Sequence, residues 1–450
     1  MRDDLRARYG DERLPRYTSY PTSPHFSDAV QGETYSGWLG SLSPERRLSL
    51  YLHVPFCRAM CWYCGCHTSV TRRDEPIAEY LAALRAEIGL VADRIGSPGP
   101  VGHIHFGGGT PTIMPPADFV DLMALLRSRF GVEEDAEVAI EIDPRTLTVE
   151  MMFALASAGV TRASLGVQSF DPAVQAAIRR VQSFAETERA ASGLRRAGIR
   201  ALNLDLIYGL PLQDVASCRE TVRRSLELRP DRLSVFGYAH VPFFKKHQRK
   251  IEEAALPDGP AREAQAEAIA EELVAAGYRR IGLDHYARPD DPMALAHQNG
   301  TLRRNFQGYT TDDAEALVGF GASAIGRLPQ GYVQNEVVTS RYVERVRSGS
   351  LATSKGYRLT PEDALRAEAI ERIMCDGEID LDRLCRAHGR TAEGFLATLP
   401  KLRALEADGL VRIRGPVVRV EEEGRLLVRA VASAFDAYLG QSGRTHSRAV

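Results

Sequence analysis

Six runs rich in apolar and β-branched residues recur between helical stretches, and this alternation limits the possible folds more than any other feature of the chain. The runs are LSLYLHVPF (48–56), VGHIHFGGG (101–109), EVAIEIDP (137–144), RASLGVQS (162–169), ALNLDLIYGL (201–210) and RLSVFGYAH (232–240). Helical patterns lie between them, among them 78–95, 217–228 and 263–278. Strand and helix alternating in this way predict parallel strands joined by right-handed crossovers. Six units fall short of a closed eight-stranded barrel, so the expected class is α/β, an open, partial (β/α)6 barrel. The pattern changes near residue 350. From Leu359 on come three helical patterns, then LVRIRGPVVRVEEEGRLLVR (410–429), which reads as two strands around a turn. Helices followed by a β-wing predict a small winged-helix-like domain. The first 45 residues show no periodicity and carry YTSYPTSP (17–24), which predicts a loop-like arm. The expected divisions are an arm (1–45), a barrel (46–350) and a C-terminal helical, winged-helix-like domain (351–450).

Ligands of parallel α/β folds sit at the carboxyl ends of the strands. Cys57 follows the first strand, Gly107–Gly109 end the second, and Glu141 and Asp143 end the third. Gln168 ends the fourth, Asp205 lies in the fifth, and Tyr238–His240 end the sixth. Polar and glycine residues thus collect at one rim, the layout of an active site. The rest of the chain narrows the setting. No run of 18 apolar residues exists, so no membrane span is expected, and the charged start MRDDLRARYG lacks the apolar core of a signal peptide. Seven cysteines, an odd and mostly clustered set, do not resemble a secreted disulfide framework, so the expected location is the cytoplasm. A net charge of −2 gives no overall attraction for nucleic acid or acidic lipid. Any anionic substrate must be met by local positive charge.

The clearest chemistry lies in CRAMCWYCGC (57–66), which holds four of the seven cysteines. A structural zinc site usually takes two separated knuckles, and no second knuckle is present. Cys64 and Cys66 are two residues apart, too close to share one ion comfortably. C-x3-C-x2-C suits three thiolates at three corners of a cubane, with an outside ligand on the fourth iron. Cysteine supplies the soft anionic sulfur that such a cluster needs. Zinc or redox thiols stand as the alternative at this level.

C-x3-C-x2-C with an aromatic before its last cysteine is similar to the signature of the radical S-adenosylmethionine enzymes. The resemblance extends further. YLHVPFCRAMCWYCGCHT, HFGGGTPT, IDPRTL, LGVQSFD, NLDLIYGLP, FGYAHVPFFKKHQRKI and RRNFQGYTT resemble successive blocks of the oxygen-independent coproporphyrinogen III oxidase family. PRYTSYPT near the start and GRLLVRAVASAFDAYL near the end match as well, so the likeness covers nearly the whole chain. It implies a partial barrel of the radical SAM type. It implies that Cys57, Cys61 and Cys64 hold one [4Fe-4S] cluster, whose open iron the cofactor chelates through its amino and carboxylate groups. Cys66 is typical of the oxidases and is expected to be catalytic, the alternative being a small buried residue. Glycines 107–109 are expected to let main chain approach the cofactor, with Gly108, Gly109 and Thr110 among the contacts. Glu141 suits ribose hydroxyls, and Arg180 suits the methionine carboxylate, the alternative for both being a surface ion pair. Gln168, Asp205, Ala239 and Ile325 match further cofactor positions, with Tyr51 and Tyr63 flanking the cluster. Two S-adenosylmethionine molecules are implied. His53, in an apolar strand, is expected to be a satisfied core residue.

The implied reaction is loss of carbon dioxide from two propionates of coproporphyrinogen III, giving the vinyl groups of protoporphyrinogen IX. A 5′-deoxyadenosyl radical, made by reductive cleavage of the cofactor, takes a hydrogen from each propionate β-carbon. The expected partners are the porphyrinogen, an electron donor and an electron acceptor, with no nucleic acid, and the chain is expected to be a monomer. KKHQRK (245–250) and the pair 303–304 are candidates for meeting substrate carboxylates. Alternatives within the superfamily are a haem-binding chaperone and a haem-opening methyltransferase. A DNA-binding role for GFLATLPKLRALEADG (394–409) is disfavoured, because Glu406 and Asp408 offset Lys401 and Arg403.

Overall fold

The six apolar runs, each burying one face almost fully and the other at least half, form strands of the kind that lie under crossover helices. They are β1 Leu48–Val54, β2 Pro100–Gly108, β3 Gly131–Ile142, β4 Arg162–Gln168, β5 Ala201–Tyr208 and β6 Arg232–Gly237. Each pairs in parallel with the next. The crossovers carry α1 Glu75–Ile95, α2 Pro116–Arg129, α3 Val149–Ser157, α4 Phe184–Ala197 and α5 Val215–Glu227, and α6 Gly259–Ala275 follows β6. Capping boxes at Ser183/Glu186 and Asp214/Ser217 fix where α4 and α5 begin. The computed structural model describes residues 3–10 and 12–440.

The sheet is wider than the rhythm predicts. Beyond β6 come β7 Arg279–Ile281 and β8 His285–Ala287, with β8 antiparallel to β6. On the opposite side β9 Ala316–Phe320 lies parallel to β1. β10 Ile325–Leu328, β11 Gly331–Asn335 and β12 Thr353–Arg358 extend it by antiparallel pairs. The full order is β12-β11-β10-β9-β1-β2-β3-β4-β5-β6-β8-β7, an open twelve-stranded sheet. These added strands are short, all but β9 join the sheet by antiparallel pairs alone, and no crossover helix separates β9, β10 and β11. They therefore leave no strand–helix signature.

Two other expectations change. The first 45 residues contain a helix, Gly32–Gly40, that buries Tyr35, Trp38 and Leu39 in the sheet's core. Those three residues and Leu42 follow helical spacing, but Gly32, Gly37, Gly40 and Ser36 mask it. Ahead of its hairpin the C-terminal region has four helices rather than three, α7 Pro361–Asp376, α8 Leu381–Ala387, α9 Ala392–Ala397 and α10 Pro400–Ala407, and a further helix, Val428–Ala432, stands where the expected second strand of 410–429 would have ended. The stretch 394–409 is split because Pro400 opens a new helix instead of continuing one. A third strand, β13 Glu378–Asp380, joins β14 Val411–Arg414 and β15 Val417–Val420 in an antiparallel sheet of order β13-β15-β14. Lys401 is tied to Glu12 and Ser433, both at 2.9 Å, so it is not a free groove-binding charge.

Leu5, Tyr9, Leu14, Tyr17 and Tyr20 of the arm lie in the core of this C-terminal region, against residues such as Ile370, Leu405 and Phe435. The arm thus packs at its start on one core and at 30–42 on the other. Among the described residues no helix is long and apolar enough to cross a membrane.

Candidate active site

The cysteine loop leaves β1 at Phe56–Cys57 and is held mainly through its backbone. Lys245 Nζ donates to the Cys66 carbonyl at 2.9 Å, His247 Nε2 to the Cys64 carbonyl at 2.7 Å, and Gln248 Nε2 to the Tyr63 carbonyl at 2.9 Å. The Trp62 amide donates to Ile178 O at 2.9 Å, and Lys250 Nζ lies 5.9 Å from the Trp62 ring centre. Because these contacts spend carbonyls, the sulfurs keep their donor capacity. Lys245, His247, Gln248 and Lys250 therefore brace the loop, a different role from the substrate-facing charge expected of the run, while Lys246 and Arg249 stay exposed. Cys57 Sγ sits 3.3 Å from the hydroxyls of Thr110 and Thr68. Cys61 is buried, Cys64 half-buried and Cys66 exposed, so Cys66 is not the small buried residue that was the alternative. A hydrogen bond with Cys66 brings the Cys64 thiol down to about 7, and burial pushes the Cys57 thiol up.

The glycines after β2 yield their side-chain space to protein neighbours. A Cβ on Gly107 would stand 2.8 Å from Glu141 Oε1, and one on Gly109 would stand 2.6 Å from the Phe56 carbonyl. Gly108 has φ +117°, and a Cβ there would lie 2.8 Å from the His53 ring. Close packing on Tyr51, His53, Phe56 and Glu141 demands glycine here in its own right. The Gly108 amide donates to Glu141 Oε2 at 3.1 Å, and His105 Nε2 lies 3.4 Å from Oε1. Glu141 keeps 41% of its side chain exposed, enough to accept further hydrogen bonds. His53 is a core residue, as expected. Its Nε2 donates to the His67 carbonyl at 2.9 Å, which leaves Nδ1 to accept from Tyr51 OH, also at 2.9 Å. Burial lowers the imidazole to about 4, so it is neutral at physiological pH. The Tyr51 ring stacks on His105 with 5.9 Å between centres.

Arg180 is buried rather than part of a surface ion pair. Its Nη2 donates to Gly166 O at 2.8 Å, Asp143 faces it at 3.4 and 3.5 Å, and Nη1 lies 3.6 Å from Cys61 Sγ. Its Nε finds no hydrogen-bond partner among the described residues. Arg145 places Nη2 3.6 Å from the same sulfur and binds Asp143 at 2.6 Å. Burial works to raise the Asp143 carboxyl, but Arg145 and Arg180 outweigh it and hold the group below its ordinary range. Gln168 ends β4 with φ +68°, a left-handed conformation that costs a side-chain-bearing residue energy and is concentrated at functional sites. Asp205 accepts from Ser164 Oγ and Asn203 Nδ2, both at 2.8 Å, and burial raises its carboxyl.

The remaining expected residues are spread along the rim. Ala239 follows β6 and shares the Gln248 amide with Tyr63, at 3.3 Å. Ile325 starts β10 beside Gly319, the β9 residue paired with Tyr51, and a Cβ on Gly319 would meet the Ile325 carbonyl at 2.8 Å. Of the pair 303–304, Arg303 binds Glu371 at 3.1 Å, and Arg304 donates to the carbonyls of Tyr17 and Arg16. Sequence reasoning missed Thr68, Arg145 and Gln248. Arg145 had a usable signal, lying two residues past Asp143 at the same strand end.

Comparison with known proteins gives a consistent result. Residues 51–224 match the radical SAM superfamily, and 359–427 match the HemN C-terminal domain. The chain is 60% identical over 450 residues to the oxygen-independent coproporphyrinogen III oxidase of Bradyrhizobium diazoefficiens, covering 100% of both chains. It is 41% identical over 435 residues to the Salmonella typhimurium protein of that name, covering 96% of this chain and 94% of that one. The solved structure of coproporphyrinogen III oxidase (HemN) from Escherichia coli, a radical SAM enzyme, is similar with a TM-score of 0.90 and 38% identity. That match covers 95% of this chain and 100% of the other.

Proposed function

Because the chain belongs to the family of oxygen-independent coproporphyrinogen III oxidases, we infer that the rim built around Cys57–Cys66 is its active site. The protein is a radical SAM oxidoreductase of porphyrin biosynthesis. It decarboxylates two propionates of coproporphyrinogen III to vinyl groups without oxygen, giving protoporphyrinogen IX. The chaperone and methyltransferase alternatives find no support among the full-length relatives, which carry the oxidase name.

The superfamily's chemistry runs on a [4Fe-4S] cluster and S-adenosylmethionine, which together supply the carbon-centred radical that abstracts hydrogen. The donor set fits that cluster. Cys57, Cys61 and Cys64 offer three thiolates on a loop whose side-chain hydrogen-bond braces from Lys245, His247 and Gln248 take backbone carbonyls. Two guanidiniums beside Cys61, those of Arg145 and Arg180, suit the negative charge such a cluster brings. The unpartnered Arg180 Nε is a donor suited to a carboxylate. Glu141, with Oε2 fixed by the Gly108 amide, has exposed carboxylate for hydroxyl groups. The neutral His53 donates no charge. It anchors Tyr51 and the loop at His67, which keeps the strand end rigid. The remaining roles follow the family pattern: Cys66 in catalysis, and Tyr63, Gly108, Gly109, Thr110, Gln168, Asp205, Ala239 and Ile325 at the cofactor.

In this reading two cofactor molecules serve two propionates. The enzyme works as a monomer in a reducing cytoplasm, with all seven cysteines as free thiols before cluster assembly. One electron donor and one acceptor complete the balance. The single observation carrying the reading is the full-length 60% identity, and the braced three-thiol loop supports it. The test is anaerobic incubation of reconstituted protein with S-adenosylmethionine, a reductant, an electron acceptor and coproporphyrinogen III. Protoporphyrin should appear after oxidation. Its absence from samples that carry a full complement of iron and cleave the cofactor would overturn the assignment.

A further inference from the structure

A cavity of about 750 Å³ opens at the carboxyl ends of β5 and β6, between the sheet, the arm and the C-terminal region. That volume lies in the range of small-molecule sites, roughly 300–1,000 Å³. Its polar wall is mostly arginine. Arg6, Arg13 and Arg16 come from the arm, Arg262 from α6, and Arg304 and Arg429 from later in the chain. The acidic residues in the wall are Glu253, which faces His240 at 3.2 Å, and Asp284, which faces His285 at 2.8 Å.

The arginines are placed by specific devices. A Cβ on Gly209 would overlap Arg262 Nη1, and one on Gly237 would lie 3.2 Å from Nη2. The ends of β5 and β6 thus cede side-chain volume to one guanidinium, which also lies 5.7 Å from the Tyr208 ring centre. Arg16 Nη2 donates to the Gly237 carbonyl at 3.3 Å, so two cations from distant parts of the chain meet at one residue. Leu14, Pro15 and Tyr17 are buried, and they turn the exposed Arg13 and Arg16 to the other side of the arm. Arg304 is nine-tenths buried, and its Nη1 finds no hydrogen-bond partner among the described residues. Burial above all, with Arg16 and Arg304 alongside, lowers the Arg429 guanidinium to about 9. The wall also contains Tyr238 and Ala239, and Gln248 Nε2 links the Ala239 carbonyl to that of Tyr63 in the cysteine loop.

We propose that this cavity receives the carboxylates of the porphyrinogen, with propionate groups pairing to Arg16 and Arg262 at Gly237 and with Arg304 and Arg429 supplying buried positive charge behind them. The proposal rests on the oxidase reading above and names the substrate-holding part of the same rim. It explains how a chain of net charge −2 attracts a tetracarboxylate: the positive charge is local and walled by aromatic surface from Tyr208, Phe236 and Tyr238.

The test uses coproporphyrin III, the oxidised tetracarboxylate that is not a substrate, and its tetramethyl ester, each titrated anaerobically into cluster-loaded protein by fluorescence. The acid should bind at least tenfold more tightly than the ester, with a preference that falls as salt rises. In an Arg16→Gln/Arg262→Gln double variant with normal iron content, that preference should shrink to under threefold. The KM for coproporphyrinogen III should rise at least tenfold, and kcat should change less. Equal binding of acid and ester to the unsubstituted protein would overturn the proposal even if the double variant failed to fold. So would an unchanged KM in a folded variant. Normal turnover without acid preference would remove this site but leave the reaction, whereas acid-selective binding without protoporphyrinogen formation would remove the reaction but leave the site.

Discussion

Glu87 on α1 is buried to 2% exposure and binds three partners at once. Oε2 accepts from the Gly321 amide and from Tyr342 OH, both at 2.7 Å, and Oε1 accepts from Asn335 Nδ2 at 2.6 Å. Two turns earlier Tyr80 OH donates to the His53 carbonyl at 2.6 Å and accepts from the Ala322 amide at 2.9 Å. The pair ties α1 to the β9–β10 turn and to the strand that feeds the cysteine loop. Burial raises the Glu87 carboxyl from its ordinary 4.5 to about 7, against three hydrogen bonds that favour the charged form. The folded protein therefore holds a proton here that the unfolded chain releases above pH 4.5. Stability from this group is fully present below 4.5 and is lost as pH rises to about 7. The gap corresponds to about 3 kcal/mol at ~1.4 kcal/mol per pH unit, and about 2–3 kcal/mol of it falls between pH 5 and 8. Glu87→Gln removes the titration. Its amide meets the Asn335 donor, so it lowers stability by about 1–3 kcal/mol at every pH. Urea unfolding of the apoprotein at pH 5 and 8 measures both proteins, provided the m-values agree. The unsubstituted protein should lose about 2–3 kcal/mol more than the variant over that interval. Parallel pH dependence in the two would refute the argument, because it would mean that Glu87 is already ionised in the folded state.

The cysteines separate by iron content. Cys57→Ser, Cys61→Ser and Cys64→Ser should each lose most of about four irons per chain, since a hydroxyl is a poor ligand for the cluster. Cys66→Ser should keep its iron and lose turnover, and iron loss equal to that of Cys64→Ser would show the ligands to be misassigned. Arg180→Ala should keep iron, because Arg145 still holds Asp143, yet lower 5′-deoxyadenosine formation at least tenfold, as loss of a charge-assisted pair of about 1.5–3 kcal/mol implies. An unchanged yield would remove Arg180 from the cofactor site.

What could be read from the sequence follows a physical divide. The six strands of the barrel stood out because double-sided burial forces runs such as LSLYLHV, and because crossover helices space them evenly. The cysteines stood out because only thiolate at fixed spacing serves a cluster. Strands β9–β12 did not, since strands of four to six residues, joined mostly by antiparallel pairs without crossover helices, need no distinctive composition. The helix Gly32–Gly40 was hidden by its glycines, although its apolar spacing was present. The brace on the cysteine loop could not have been read at all. Lys245, His247 and Gln248 act across 179 to 185 residues on backbone carbonyls, and any long donor could meet such an acceptor. A run like KKHQRK looks the same whether it faces water or the back of a loop.

Arg180 and Arg16 show why the location of charge mattered more than its amount. Arg180 is the second of an Arg179–Arg180 pair and Arg16 stands alone in PRYTSY, and sequence supplies no measure of what lies opposite either of them. For Arg180 the answer is Asp143 and the Cys61 sulfur at buried positions, where low dielectric strengthens each contact. For Arg16 it is Gly237, reached because Leu14 and Tyr17 bury themselves in the C-terminal core and fix the arm's facing. The C-terminal region therefore acts on the barrel mouth without contributing a catalytic group. Its core holds the arm, and the arm sets the position of arginines at the ends of β5 and β6. Loosening that core, for instance at Leu405 or Phe435, should disturb Arg16 before it disturbs the cysteine loop, because the loop is braced from residues 245–250 instead.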